Sequence, residues 1–165
     1  MIDGTVAFRV VTCSDTRSIQ EDTAGAALEE LIAAQGWICA GRVIVRDERT
    51  QIARALVEAC ETPTDEGFID VVLTCGGSGL SPRDVTPEAT RDVCEREVPG
   101  IAEAMRAYGM TKTPLAALSR ALCMQRGNVL VINLPGSEKA ARESWEALVP
   151  LLPHAVKMMA AGGHD

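Results

Sequence analysis

The sequence predicts an α/β fold, a three-layer α/β/α sandwich around a mostly parallel central sheet. Three observations carry that expectation. Short runs that are apolar on both faces alternate with amphipathic stretches along the whole chain. Loops rich in glycine, small hydroxyls and acids follow the apolar runs, where an open sheet binds its ligands. Apolar residues make up 47% of 165 residues against 24% charged, enough to bury a core. The aromatics are Phe8, Trp37, Phe68, Tyr108 and Trp145, so Ala, Val, Ile and Leu must fill that core.

The elements follow in order. Val6 to Thr12 (VAFRVVT) reads as a first strand, apolar on both faces apart from Arg9. After a polar loop, Asp22 or Thr23 caps a helix to Gln35, with Ala24, Ala27, Leu28, Leu31 and Ile32 on one face and Gly36 as its stop. Trp37 to Val45 is the second strand. Thr50 is expected to cap the next helix, which buries Ile52, Leu56, Ala59 and Cys60. Asp70 to Cys75 is the third strand, and a glycine loop from Gly76 to Asp84 follows it. Thr86 is expected to cap a helix whose first residue is Pro87. A further helix runs from about Gly100 to Tyr108. Leu115 to Met124 is ambiguous and reads as an extended segment. Asn128 to Asn133 is a last core strand, and Leu134-Pro135-Gly136-Ser137 leads into a helix to about Leu148. Pro150 breaks that helix, Pro153 starts a short final one, and residues 162–165 are expected to fray. Neither a repeat nor a linker divides the chain, so residues 1–165 read as one domain.

Charge and cysteine usage exclude several functions. The net charge is −7, a poor match to nucleic acid or an anionic membrane, and five aromatics give little stacking surface for single strands. The start lacks a basic region followed by an apolar one, and no apolar run approaches a membrane span. The six cysteines stand 15 or more residues apart without a CxxC, which argues against zinc and for reduced residues in a cytoplasm.

The loop chemistry points to an anionic ligand. Three glycines in Gly76-Gly77-Ser78-Gly79 let the backbone approach a ligand and turn N–H groups toward an anion. The loop is neither a Walker loop nor a dinucleotide fingerprint, because Gly-Lys-Ser/Thr is missing and Pro82 stands where the third glycine belongs. A tight turn after a buried strand is the alternative, but Ser81-Pro82-Arg83-Asp84 adds more polar detail than a turn needs. Asp47 and Asp84 follow successive strands. Two carboxylates beside a phosphate loop suit Mg²⁺, which takes one or two carboxylates plus substrate phosphates. The chemistry implied is phosphoryl or nucleotidyl transfer. Pro135-Gly136-Ser137 reads either as a second anion loop or as a plain helix cap. Arg120, after Ser119, reads either as a salt-bridge partner or as a phosphate ligand. His154 and Cys75 read as a late-helix residue and a buried strand end rather than a nucleophile pair.

Together these residues resemble the MogA/MoaB family of molybdenum-cofactor biosynthesis. The most specific stretch runs from Leu73 to Thr90 (LTCGGSGLSPRDVTPEAT) and is similar to the family's TGGTG, spacer and RDVTPEAT. Val11-Thr12-Cys13-Ser14-Asp15, Asp22-Thr23-Ala24-Gly25, Asp47-Glu48, Glu97-Val98-Pro99-Gly100, Leu118-Ser119-Arg120 and Ile132-Asn133-Leu134-Pro135-Gly136 match in order. The resemblance implies a MogA-like molybdopterin-binding fold and an adenylyltransferase that moves AMP from Mg-ATP to molybdopterin with release of pyrophosphate. It implies Asp47 and Asp84 as the essential acids that handle Mg²⁺, and Gly76, Gly77, Ser78 and Gly79 as the phosphate cradle. Ser14, Asp22, Ser119, Arg120 and Asn133 would line the pterin and phosphate pocket, and Pro135, Gly136 and Ser137 would shape the second loop. A homotrimer or hexamer and hand-over to a molybdenum insertase are implied as well. Ser78 stands where relatives carry Thr, and Arg46 stands where many carry Pro before the first acid. The competing readings are a non-catalytic MoaB-like molybdopterin binder, and a nucleotide hydrolase like the domain of competence-damage proteins.

Overall fold

The computed structural model describes residues 4–65 and 67–160. The expected fraying of residues 162–165 lies outside them. The described residues form one six-stranded sheet in the order β2-β1-β3-β6-β5-β4. Its strands are β1 (Ala7–Cys13), β2 (Ile38–Val45), β3 (Val71–Cys75), β4 (Arg96–Glu97), β5 (Cys123–Arg126) and β6 (Val129–Leu134). β2, β1, β3 and β6 run parallel, while β5 and β4 are antiparallel additions at one edge.

Helices α1 (Thr23–Ala34), α4 (Pro99–Met110) and α5 (Glu138–Leu148) cover one face, with α6 (Leu152–Ala160) at its margin. Helices α2 (Arg49–Glu61) and α3 (Thr86–Val93) cover the other. The sandwich is thus the one expected from apolar strands flanked by amphipathic helices. β1 shows why both faces of a strand are apolar. Phe8 and Val10 join Leu28, Ile32, Trp145 and Leu148 on one side, while Ala7, Val11 and Cys13 join Ile52, Leu56 and Val131 on the other. Phe8, Trp37 and Trp145 form a ring cluster with centroids 5.6–5.8 Å apart.

Four local expectations change. α2 begins at Arg49, because Glu48 N donates to Arg46 O and Ile52 N to Glu48 O, so the helix starts before Thr50. α3 starts at Thr86 with Val85 at its cap position, and the Thr86 hydroxyl donates to Gly76 O instead of capping the helix. The Leu115–Met124 segment is not one extended stretch. Pro114–Leu118 is a 3₁₀ turn whose cap Thr113 accepts from Leu115 N, and β5 follows it as an antiparallel partner of β6. β4 is a two-residue strand with no periodicity to announce it. Other expectations hold closely: Asp22 caps α1 through Gly25 N, and Ser137 caps α5 through Ala140 N. No helix among the described residues is long and apolar enough to cross a membrane.

Candidate active site

The parallel strands β1, β3 and β6 end together, and the loops leaving them meet at one sheet edge. The glycine loop after β3 lies against the loop after β6: a Cβ on Gly136 would stand 3.2 Å from Gly76 Cα. Gly76 and Gly77 have φ of +96° and +67°, a region where a side chain is strained. Space excludes one as well, since a Cβ on Gly76 would lie 2.5 Å from Cys13 O and one on Gly77 2.3 Å from Thr86 Oγ1.

Every carbonyl of this loop is taken by the protein. Gly76 O accepts from Thr86 Oγ1 (2.9 Å) and Gly77 O from Thr86 N (3.0 Å). Ser78 O accepts from Arg120 N (2.9 Å) and Gly79 O from Arg120 Nε (2.7 Å). The loop is therefore fixed from behind, through its acceptors.

The two acids flank it. A Cβ on Gly77 would lie 3.2 Å from Asp47 Oδ1, and one on Gly79 would lie 2.9 Å from Asp84 Oδ2. Asp84 is oriented within its own turn by Ser81 N (3.1 Å). Asp47 and Asp15 exchange backbone-to-carboxylate bonds, each N–H donating to the other's carboxylate at 3.1 Å. Arg83 closes the group by donating Nη2 and Nε to Asp15 Oδ2 at 2.7 and 3.0 Å. Asp47 Oδ1 is buried and has no hydrogen-bond partner among the described residues. Burial, then the charges of Asp15 and Asp84, push the Asp47 carboxyl above its ordinary range. Hydrogen bonding from Arg83 pulls Asp15 the other way.

On the far side of the glycine loop lies a cavity of about 630 Å³. Its floor is Gly76–Gly79 with Asp84, and Pro135 and Gly136 close one end. Its walls come from α4 (Ala102, Met105, Arg106), the 3₁₀ turn (Leu115, Leu118) and α5 (Ala140, Glu143, Ser144). It is a largely apolar slot with a polar floor, the form of a small-molecule site.

The structure brings Gly76, Gly77, Ser78, Gly79, Asp84, Ser119, Asn133, Pro135 and Gly136 to this cavity. Asp47 stands across the loop from it. The remaining expected residues face elsewhere, for visible reasons. Asp22 is buried, with Oδ1 accepting from Gly25 N and Oδ2 from Thr12 Oγ1 and Arg42 Nη1. A Cβ on Gly25 would come within 2.2 Å of Asp22 Oδ2, which explains the Asp-x-x-Gly spacing as packing. Ser14 Oγ accepts from Thr16 N and Arg17 N and so closes a turn. Ser137 caps α5. Arg120 reaches Gly79 O, Asp84 O (2.7 Å) and Glu88, the salt-bridge alternative of its two readings. Asn133 is fully buried: Nδ2 donates to Thr74 Oγ1 and Thr90 Oγ1, and Oδ1 accepts from Leu122 N. Asp15 bonds to Asp47, Thr86 to Gly76 and Glu88 to Arg120, and Glu143 lines the cavity; none of the four was singled out for the site from the sequence. Position after β1 is a signal for Asp15, while the other three become visible only through their neighbours.

Burial also decides the thiols. Cys13 lies under the loop with its thiol pushed up to about 12, and burial raises Cys75 too, so neither is a ready nucleophile. His154 is exposed on α6, in keeping with the plain reading of that pair.

Comparisons with known proteins place the chain in a family. A family described as a probable molybdopterin binding domain matches residues 9–154. The chain belongs to that family. The crystal structure of the molybdopterin biosynthesis enzyme MoaB from Thermus thermophilus superimposes with a TM-score of 0.84 at 43% identity, covering 98% of this chain and 100% of that one. The molybdopterin adenylyltransferase of Helicobacter pylori strain J99 is 37% identical over 159 residues, 94% of this chain and 88% of that protein. The Drosophila melanogaster molybdenum cofactor synthesis protein cinnamon is 41% identical over 159 residues, 93% of this chain but 26% of that protein. The chain thus spans about a quarter of the cinnamon protein. A second solved structure, of a molybdenum cofactor biosynthesis protein B, superimposes with a TM-score of 0.87 at 32% identity, covering 97% of this chain and 99% of that one.

Proposed function

We propose that this chain is a molybdopterin adenylyltransferase of molybdenum-cofactor biosynthesis, which transfers AMP from ATP to molybdopterin and releases pyrophosphate. One observation carries the reading: a glycine loop held through all four of its carbonyls, with one acid beside each end and an apolar slot beyond it. With its acceptors taken and Gly76 N donating to Leu134 O, the loop leaves the N–H groups of Gly77, Ser78 and Gly79 as the edge that meets phosphate. Because it is already ordered, little reorganisation is needed when charge moves during transfer.

In this reading a phosphate oxygen of molybdopterin attacks the α-phosphorus of ATP, and the bond to the bridging oxygen of the β-phosphate breaks. Gly76–Gly79 hold the reacting phosphates, Pro135 and Gly136 stand beside them, and the apolar walls exclude water around the pterin. Asp84 faces the reacting centre from the cavity side and Asp47 from the other. Ser119 borders the same cavity, while Arg120, Glu88 and Asn133 position the loop. Ser14, Asp22 and Ser137 act one layer further out.

The donor set suits a magnesium ion that arrives with ATP. The buried Asp47 Oδ1 is an acceptor that lacks a partner among the described residues. Among the described residues there is no cluster of three or more ligating side chains, so substrate phosphates would complete the coordination. Asp47 and Asp84 would hold the ion, which when bound neutralises phosphate charge. The same reading includes cytoplasmic action, a trimeric or hexameric assembly and hand-over of the activated pterin to an insertase. It is supported by six cysteines without a disulfide and by the family.

Incubation of the protein with molybdopterin, ATP and Mg²⁺, followed by mass analysis, tests the reading. The expected product is the AMP adduct of the pterin with pyrophosphate in equal amount. Unchanged pterin that stays bound would instead mark the chain as a non-catalytic binder, and pyrophosphate or phosphate release without pterin would mark a nucleotide hydrolase.

A further inference from the structure

The cavity contains a carboxylate that adenylyl transfer does not use. Ala140, Glu143 and Ser144 share one face of α5, at helical spacings of three and four, and all three line the cavity. Glu143 is half-buried there, with neither a hydrogen bond nor an ion pair among the described residues. Lys139, one helical turn before Glu143 on α5, forms no ion pair with it among the described residues, and two nearby arginines are engaged elsewhere. Arg142 pairs with Glu138 and Glu30, and Arg106 donates to the carbonyls of Ser119 and Ala121. Asp84 and Glu143 are the two carboxylates of the cavity lining, and they belong to different parts of it. Asp84 sits with the glycine loop. Glu143 lies six residues along α5 from Ser137, which follows the Pro135–Gly136 loop, a rise of about 9 Å.

We propose that Glu143 is the specificity residue for the heterocycle, reading the 2-amino-4-oxopyrimidine edge of a pterin at the end of the cavity away from the phosphates. The proposal rests on the reading of this cavity as a pterin site. That edge offers two parallel donors, N3–H and one N–H of the 2-amino group. A carboxylate offers two parallel acceptors, and both bonds are charge-assisted. A ring in this cavity whose phosphate-bearing side chain reaches Gly76–Gly79 would direct its far edge along α5 toward Glu143, which lines the same cavity. The pairing would also satisfy an acceptor that has no protein partner.

The test is a fluorescence titration of two probes against wild type and Glu143→Gln. One probe is neopterin monophosphate. The other is its 2-oxo counterpart, a lumazine in which a carbonyl replaces the 2-amino group. Wild type is expected to bind the amino ring about 10–100-fold more tightly than the oxo ring, the worth of a charge-assisted bond. Glutamine presents one acceptor and one donor, the complement of N3–H beside a carbonyl. Glu143→Gln is therefore expected to abolish or invert the preference with an unchanged melting temperature, a signature that loss of packing alone would not produce. A preference that survives Glu143→Gln, or wild-type binding of both rings alike, overturns the role of Glu143 while leaving the cavity as a pterin site. Failure of wild type to bind either ring overturns the pterin reading, and this inference with it.

Discussion

Asp47 is held in an unusual balance. Its backbone N–H and one carboxylate oxygen are tied to Asp15, while its other oxygen is buried without a partner. Arg46 precedes this acid, and the exchange with Asp15, itself fixed by Arg83, supplies the rigidity of the turn. The raised pKa has a stability consequence. A carboxyl whose folded pKa lies above its unfolded value favours folding when protonated, and that contribution is lost as pH rises from the ordinary aspartate range through the raised value. At neutral pH the ionised group therefore opposes folding. Asp47→Asn is expected to melt higher than wild type at pH 7 and to melt alike near pH 3, while adenylyl transfer falls on the order of 100-fold or more. Thermal melts at the two pH values and a turnover assay check both halves. Much of this scale was legible in the sequence, because Asp47, Asp84 and the glycines stand in loops directly after apolar strands. The inward turn of Asp22 was not, because whether a polar side chain meets ligand or protein depends on neighbours distant in the chain: Asp22 is held by Thr12 and Arg42.

The elements around the loop explain its rigidity. α3 contributes the Thr86 hydroxyl and Glu88, and the segment before β5 contributes Arg120, whose guanidinium joins Gly79 O, Asp84 O and Glu88. Arg120 thereby ties Asp84 to the loop it serves, as a positioning residue. Lysine cannot reproduce that planar fork. Arg120→Lys is expected to lower stability by about 2 kcal/mol and to reduce kcat by roughly 10–100-fold, with KM for ATP little changed. A KM effect alone would instead indicate direct phosphate binding. Asn133 links β6 to β3, α3 and the segment before β5. Asn133→Ala leaves two hydroxyls and a backbone N–H without their partner, and is expected to lose roughly 3 kcal/mol, about 10 °C in Tm. The strands β1, β3 and β6 could be read from apolar runs buried on both faces. β4 and β5 could not, because a two-residue strand has no period and Ala121–Met124 is an apolar run with no turn signal to separate it from the 3₁₀ turn before it.

At the scale of the molecule, the sheet brings the loops after β1, β2, β3 and β6 to one edge, and two helical layers hold them from opposite faces. α2 and α3 stand behind Asp47 and the glycine loop, while α4 and α5 wall the cavity. A phosphate held on the loop would couple both layers, and nucleotide is expected to stabilise the whole fold. ATP with Mg²⁺ at about 100 times its Kd adds about 2.7 kcal/mol. Removing Mg²⁺ with a chelator should shrink that gain, since Asp47, Asp84 and the net charge of −7 repel free phosphates. Thermal melts with and without chelator measure the difference.

The central claim is that two acids across a fixed glycine loop carry adenylyl transfer beside a pterin slot. It is tested most directly by following wild type and Asp84→Asn with molybdopterin, ATP and Mg²⁺ in one experiment. Adduct is read by mass and retained pterin by fluorescence. Wild type is expected to form the AMP adduct, and Asp84→Asn to keep the pterin while adduct falls on the order of 100-fold or more. Equal adduct formation by the two proteins, or none by wild type, would contradict it.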